Sequence, residues 1–153
     1  MNAYNELYLD DAMHNLADML DYAICDLNYE PDEFFSWFIN SGIASKFEKG
    51  NPKYITGMSG VELCEAVLKA TNIAPPEKPA TNPDFKGKEY WAGWVLAYYQ
   101  WYSGRRFEDI VSNGLTISKI LSMYILHEAD ESKFVEEAEK IITRNKANEK
   151  AKL

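Results

Sequence analysis

Apolar residues recur at helical spacing along nearly the whole chain. Leu9, Met13, Leu16, Leu20, Ile24 and Leu27 lie three or four residues apart, which predicts a first helix over about 5–27 with that stripe turned to a core. Pro31 suits a first helical position, and Asp32 with Glu33 suits the positive end of a helix dipole. The aromatic run that follows therefore predicts a short helix, broken at Ser41-Gly42. A third over about 43–49 stops at Gly50, with Asn51-Pro52 beyond it. Residues 51–58 read as a loop or extended connection, and Tyr54-Ile55 is the one place for a short strand. Ser59 and Glu62 have capping-box spacing and open a helix through about Thr71, with Val61, Cys64, Val67 and Leu68 inward.

Pro75, Pro76, Pro79 and Pro83 then exclude any helix or central strand, so 74–88 is read as a linker between an N-terminal half (1–73) and a C-terminal half (89–143). Each half is small for a core of its own, which predicts that the two pack as one domain. The second half opens on EYWAGWVLAYYQWYSGRRF (89–107), where three of the four tryptophans and four of the ten tyrosines fall within about five helical turns. On a helical wheel Trp91, Trp94, Val95, Tyr98 and Tyr102 share one face, and only Glu89, Gln100 and Ser103 form a polar strip. Such a helix is expected to be the buried centre of the molecule.

Beyond Gly104, Phe107, Ile110 and Val111 mark a short helix stopped by Asn113-Gly114. Thr116 is an N-cap for Ile117, Ile120, Leu121, Tyr124 and Ile125, and Asp130 caps a last helix faced by Phe134, Val135, Ala138, Ile141 and Ile142. Residues 144–153 are polar and read as a frayed tail. The expected fold is all-α: a compact multi-helix single domain around a central aromatic helix at about 89–104.

Charge changes the picture more than composition does. The chain has 153 residues, 46% hydrophobic and 26% charged, which suits a folded globular domain, and no apolar run of membrane-spanning length occurs. No basic and apolar leader opens it, so a cytoplasmic home is expected, with Cys25 and Cys64 as buried reduced thiols. Residues 1–45 hold nine acidic side chains and no Lys or Arg. The remaining 108 residues hold 15 acidic and 16 basic groups, so the whole excess behind the net charge of −8 lies in the first third. Such a field attracts basic partners and repels phosphates.

Asp11, His14, Asp18 and Asp21 are spaced as one ridge beside the apolar stripe of the first helix. An acidic solvated or partner-binding face is the expectation there. A metal is not, because the only other histidine, His127, is distant in sequence. The aromatics of 89–107 stand between Lys86 and Lys88 on one side and Arg105 and Arg106 on the other, a pattern that can stack bases. Burial at roughly 1.5–3 kcal/mol per side chain favours a core role instead, with Tyr99 and Trp101 kept as candidate exposed interface anchors. His127-Glu128 is the only acid/base pair that stands out. No phosphate loop, HExxH or CxxC accompanies it, so no enzyme, catalytic residue, cofactor or metal is expected.

Two resemblances bear on function. Residues 44–50, ASKFEKG, resemble the end of the recognition helix in Xre-type helix-turn-helix repressors, which implies Ser45, Lys46, Lys49 and Lys53 as DNA contacts. The turn glycine is displaced, the segment between the two helices is a residue or two short and the first helix is strongly acidic, so the motif is degenerate. Over nearly its full length, through residues 41–60, 89–107 and 126–135, the chain resembles small bacterial proteins of toxin–antitoxin-type operons. That resemblance implies an antitoxin-like regulatory member with a protein partner, such as a basic toxin, and no catalytic residues. The leading expectation is thus a non-enzymatic interaction module that uses Asp11, His14, Asp18, Asp21, Tyr99 and Trp101. The alternative is an Xre-like transcriptional regulator.

Overall fold

The computed structural model describes residues 2–76 and 87–151. Every regular element among them is helical: α1 (Leu9–Asp21), α2 (Pro31–Asn40), α3 (Ile43–Glu48), α4 (Pro52–Ile55), α5 (Gly60–Ala70), α6 (Lys88–Ser103), α7 (Phe107–Ser112), α8 (Ile117–Leu121) and α9 (Glu131–Ala151). The chain is all-α, as its periodicity predicts. Pro79, Pro83 and Lys86 of the proline-rich linker lie outside the described residues. No helix among the described residues is long and apolar enough to cross a membrane.

The centre is an antiparallel pair, α1 against α6. At one end the Trp101 indole N–H donates to the Tyr4 carbonyl at 2.8 Å, and the Ala3 N–H donates to the Trp101 carbonyl at 2.8 Å. Further along, His14 meets the Trp94 ring, and Gly93 lies on the backbone of Ala17. A Cβ added to Gly93 would stand 2.5 Å from Ala17 Cα, so glycine is what lets the two helix axes come this close. Ala92, Leu96, Ala97 and Gln100 complete the buried inner side of α6. The opposite side of α1 receives α5, whose first residue Gly60 leaves its would-be Cβ 2.8 Å from the Asn15 carbonyl oxygen.

A second core joins the two halves of the chain. The Phe107 ring, at the start of α7, has its centroid 5.6 Å from those of Phe35 and Phe38 on α2 and 6.0 Å from that of Phe47 on α3. Phe35, Phe38, Phe47 and Phe107 are all buried. Polar side chains pin the same junction. The carboxylate of Glu48 accepts the Phe107 N–H at 2.9 Å, and the Gln100 amide donates to the carbonyls of Glu48 (3.2 Å) and Arg105 (3.0 Å). Asp32 caps another element altogether: it accepts from the backbone N–H of Ile117 (2.8 Å) and Ser118 (3.2 Å) at the start of α8.

Burial pushes the Glu48 carboxyl above the usual glutamate range, against the lowering effect of the Phe107 N–H. A folded state that holds this proton more tightly than the unfolded chain is favoured below the ordinary glutamate pKa of about 4.3. It loses that contribution as pH rises through the folded value. Glu48→Gln removes the ionisation and keeps an acceptor for Phe107. Its stability relative to wild type should therefore improve between about pH 4 and pH 7. Urea midpoints of both proteins at the two pH values check this, and a pH-independent difference would count against it.

Local signals read from the sequence hold where they are local. Ser59 and Glu62 form a reciprocal capping box, Thr116 accepts the Lys119 N–H, and Asp130 accepts the Ser132 N–H. Other expectations change, and the helix opened by Thr116 stops at Leu121, with Tyr124 and Ile125 in a separate 3₁₀ segment and Ile125 exposed. The first helix is not uniform: a 3₁₀ turn at Glu6–Tyr8 leads into α1, and a π-helical turn at Tyr22–Asp26 follows it. Residues 52–55 form α4 rather than a loop or strand, because Asn51 accepts the Lys53 N–H and Pro52 takes the first position. The tail from Arg144 to Ala151 continues α9 and is held partly by Asn145, whose amide donates to the Asn113 carbonyl at 2.6 Å. Lastly, Gln100 is buried instead of facing water.

Candidate functional site

Small residues of α6 face α1, so the aromatic stripe of its wheel is turned away from that contact. Trp91, Trp94 and Tyr98 are half-buried, and Tyr102 is 50% exposed, although the helical wheel places these four on one apolar face expected to turn inward. The front of this stripe walls a cavity of about 370 Å³. Tyr90, Trp91 and Trp94 come from α6 and His14 from α1. Tyr124 and His127 come from a 3₁₀ segment (Tyr124–Glu128) that precedes α9. Both histidines of the chain thus stand in one pocket, 113 positions apart in sequence. The volume lies within the range of small-molecule sites, about 300–1,000 Å³.

The walls are fixed by one another. The His14 ring sits edge-on to Trp94 with centroids 4.8 Å apart, and its Nδ1 is 2.8 Å from the Tyr90 hydroxyl. Tyr124 stacks on His127 at 4.1 Å and meets Trp91 edge-on at 5.6 Å. His127 Nδ1 lies 2.7 Å from the Tyr124 carbonyl. A carbonyl only accepts, so this nitrogen carries a proton, and in the neutral ring Nε2 keeps its lone pair.

Carboxylates surround the aromatic walls. Asp10 is 3.6 Å from His14 Nε2, Glu128 is 3.9 Å from His127 Nε2, and Glu131 accepts the Trp94 indole N–H at 3.0 Å. Burial first, then the charges of Asp18, Asp10 and Asp21, push the Tyr90 hydroxyl up to about 12, which keeps it a neutral phenol. Among the described residues no Lys or Arg lines the cavity. The arrangement is an aromatic-walled recess in a negative field.

The other predicted site residues separate. Asp11 is exposed and Asp18 half-buried, but Asp21 is 7% exposed and faces inward, so the ridge is continuous only toward the start of α1. Tyr99 and Trp101 are not surface anchors. Tyr99 is fully buried and donates to Glu139 at 2.6 Å, while Trp101 is 5% exposed beneath the N-terminal arm. The wheel could not place them, because α6 is apolar on nearly every side. Ser45, Lys46, Lys49 and Lys53 are exposed, and the ammonium groups of Lys46 and Lys53 lie 5.7 and 5.4 Å from the Tyr54 ring centroid. The His127-Glu128 pair belongs to the cavity rim rather than to a separate site.

One cluster of metal-ligand types is present among the described residues: donor atoms of Asp21, Cys25 and Glu89 lie within 4.8 Å of one another. Cys25 is exposed at the π-helical turn, not buried as expected, whereas Cys64 is buried. Desolvation against the neighbouring helix, then Glu89 and Asp21, push the Cys25 thiol up to about 12. A protonated thiol and two oxygens are a poor set for a structural zinc, which takes thiolate and imidazole in four positions. No family model, no curated protein and no solved structure matches this chain.

Proposed function

We propose that this protein is a non-enzymatic interaction module, antitoxin-like in kind, that captures a basic protein partner on the acidic side of α1. The observation that carries the reading is the distribution of charge: nine carboxylates and no Lys or Arg precede Lys46. Asp10 and Asp11 stand exposed at the start of α1. Complementary charge of this kind raises association rates and selects partners more than it adds contact energy. Tyr102 and the half-buried Tyr98, stacked on it with ring centroids 6.4 Å apart, keep exposed surface on α6 and take the place of Tyr99 and Trp101 as aromatic anchors. His14 belongs both to this surface and to the cavity.

The test starts from the protein that co-purifies with the chain from its native cells, identified by mass spectrometry and then prepared pure. Reversing Asp10 and Asp11 together to Lys should slow its association at low salt by about tenfold or more while leaving the helical circular dichroism unchanged. Asp21 is left out because its burial would confuse binding with folding. Unchanged association of the reversed protein sinks the reading. A second reading, DNA binding, is favoured by the grouping of Lys46 and Lys53 around Tyr54. A low-salt gel shift that disappears on Lys46→Glu with Lys49→Glu would put it first.

A further inference from the structure

We propose that the cavity between α1, α6 and the Tyr124–Glu128 segment is a binding site for a small quaternary-ammonium compound that carries no anionic group. It shares His14 with the partner-binding surface but requires no protein partner, and it holds even where that reading fails.

The walls decide the class of ligand. Tyr90, Trp91, Trp94 and Tyr124 supply four aromatic rings, and the faces of such rings carry the negative lobe of a quadrupole. His14 and His127 close the ring of planar side chains. Among the described residues no Lys or Arg lines the space to hold an anion, and the carboxylates of Asp10, Glu128 and Glu131 stand around it, so an anion is repelled. A neutral apolar molecule would gain burial but nothing from the field. A cation gains both.

The kind of cation follows from the hydrogen-bond inventory. A primary ammonium or guanidinium needs acceptors to replace its water, three for the first and up to five for the second. The cavity has few to give. The His14 Nδ1 and Tyr90 hydroxyl are engaged with each other, and the carboxylate of Glu131 is engaged by the Trp94 indole. Among the described lining side chains that leaves His127 Nε2, 3.9 Å from Glu128, and the Tyr124 hydroxyl, fewer acceptors than a primary ammonium needs. An alkylated ammonium needs no hydrogen bonds, is weakly hydrated and presents methyl groups that fit aromatic faces. The carboxylates then act through space, outside the lining.

The charge at the rim excludes zwitterions. A phosphate or carboxylate attached to the ammonium by a short chain would be brought toward Asp10, Glu128 and Glu131, so choline is expected to bind and phosphocholine to be refused.

The full-length protein is titrated with choline, tetramethylammonium, phosphocholine and 3,3-dimethyl-1-butanol, the uncharged isostere of choline, by calorimetry and by tryptophan fluorescence. Saturable one-to-one binding of choline is expected, about tenfold tighter than the isostere, as a partly desolvated cation–aromatic contact implies. Trp94→Leu should abolish it. Since Trp94 also helps hold α9 through Glu131, Tyr124→Leu is measured beside it, and a loss of about fivefold or more is expected with circular dichroism unchanged. Equal affinity for choline and its isostere would make the cavity merely apolar and overturn the proposal. Phosphocholine binding as well as choline overturns it too, as does choline binding that survives both variants or no saturable binding at all. Asp10→Lys with Asp11→Lys separates the two readings. Lost partner association with no choline binding in wild type removes this site and keeps the partner, and choline binding with unchanged partner association does the reverse.

Discussion

Gly93→Ala is expected to destabilise the protein by about 1–3 kcal/mol, the range for overpacking a close contact. Helix propensity alone predicts the opposite, since alanine favours a helix interior over glycine by about 1 kcal/mol. The sign is decided by the Ala17 backbone. The new methyl would stand 2.5 Å from its Cα and 2.6 Å from the Leu16 carbonyl oxygen, and backbone cannot move aside as a flexible side chain can. Gly93→Leu is expected to abolish the native fold, because forcing α1 and α6 apart opens both the core and the cavity that spans them. Urea unfolding followed by circular dichroism measures the first, and loss of the cooperative transition marks the second. A gain in stability for Gly93→Ala would mean that the two helices do not approach as closely as Gly93 and Ala17 indicate.

The same residue explains why the aromatic helix misleads when read alone. Its wheel shows large aromatics clustered at Trp91, Trp94, Tyr98 and Tyr102, and burial energy argues for turning them inward. What chooses the inner side is how close a neighbour can come. Ala92, Gly93 and Ala97 are the only small stripe on the helix, and that stripe is where α1 docks. The signal was in the sequence, as small residues at helical spacing rather than as hydrophobic mass. Caps at Ser59, Thr116 and Asp130 were legible because donor and acceptor lie within three residues. Asp32 reads equally well as a cap for its own helix, and only the folded chain brings it to Ile117, 85 positions away. The meeting of His14 with His127 has no local signature either. In the sequence His14 belongs to an acidic ridge and His127 to a pair with Glu128, and only the placing of α1, α6 and the Tyr124–Glu128 segment side by side joins them. A helical pattern specifies elements and one face of each, and the site arises from the pairing of faces.

Phe107→Ala is expected to cost about 3–5 kcal/mol, the range for truncating a buried phenylalanine. Phe107 is fully buried and touches the rings of Phe35, Phe38 and Phe47, so its removal leaves a cavity walled by three aromatics that cannot collapse without moving both α2 and α3. Its backbone N–H is bonded to Glu48, so a shift of α7 would also strand a buried carboxylate. These contacts join residues before the proline-rich stretch to residues after it. The unfolding of the whole chain should therefore move together: one urea transition in wild type, and one transition at lower urea in Phe107→Ala, seen alike by tryptophan fluorescence and circular dichroism. Three of the four tryptophans lie on α6 and report the second half, while circular dichroism reports every helix. Two separated transitions would show that the halves fold independently. Coincident transitions with a loss well under 1 kcal/mol would show that the phenylalanine cluster is not what couples them.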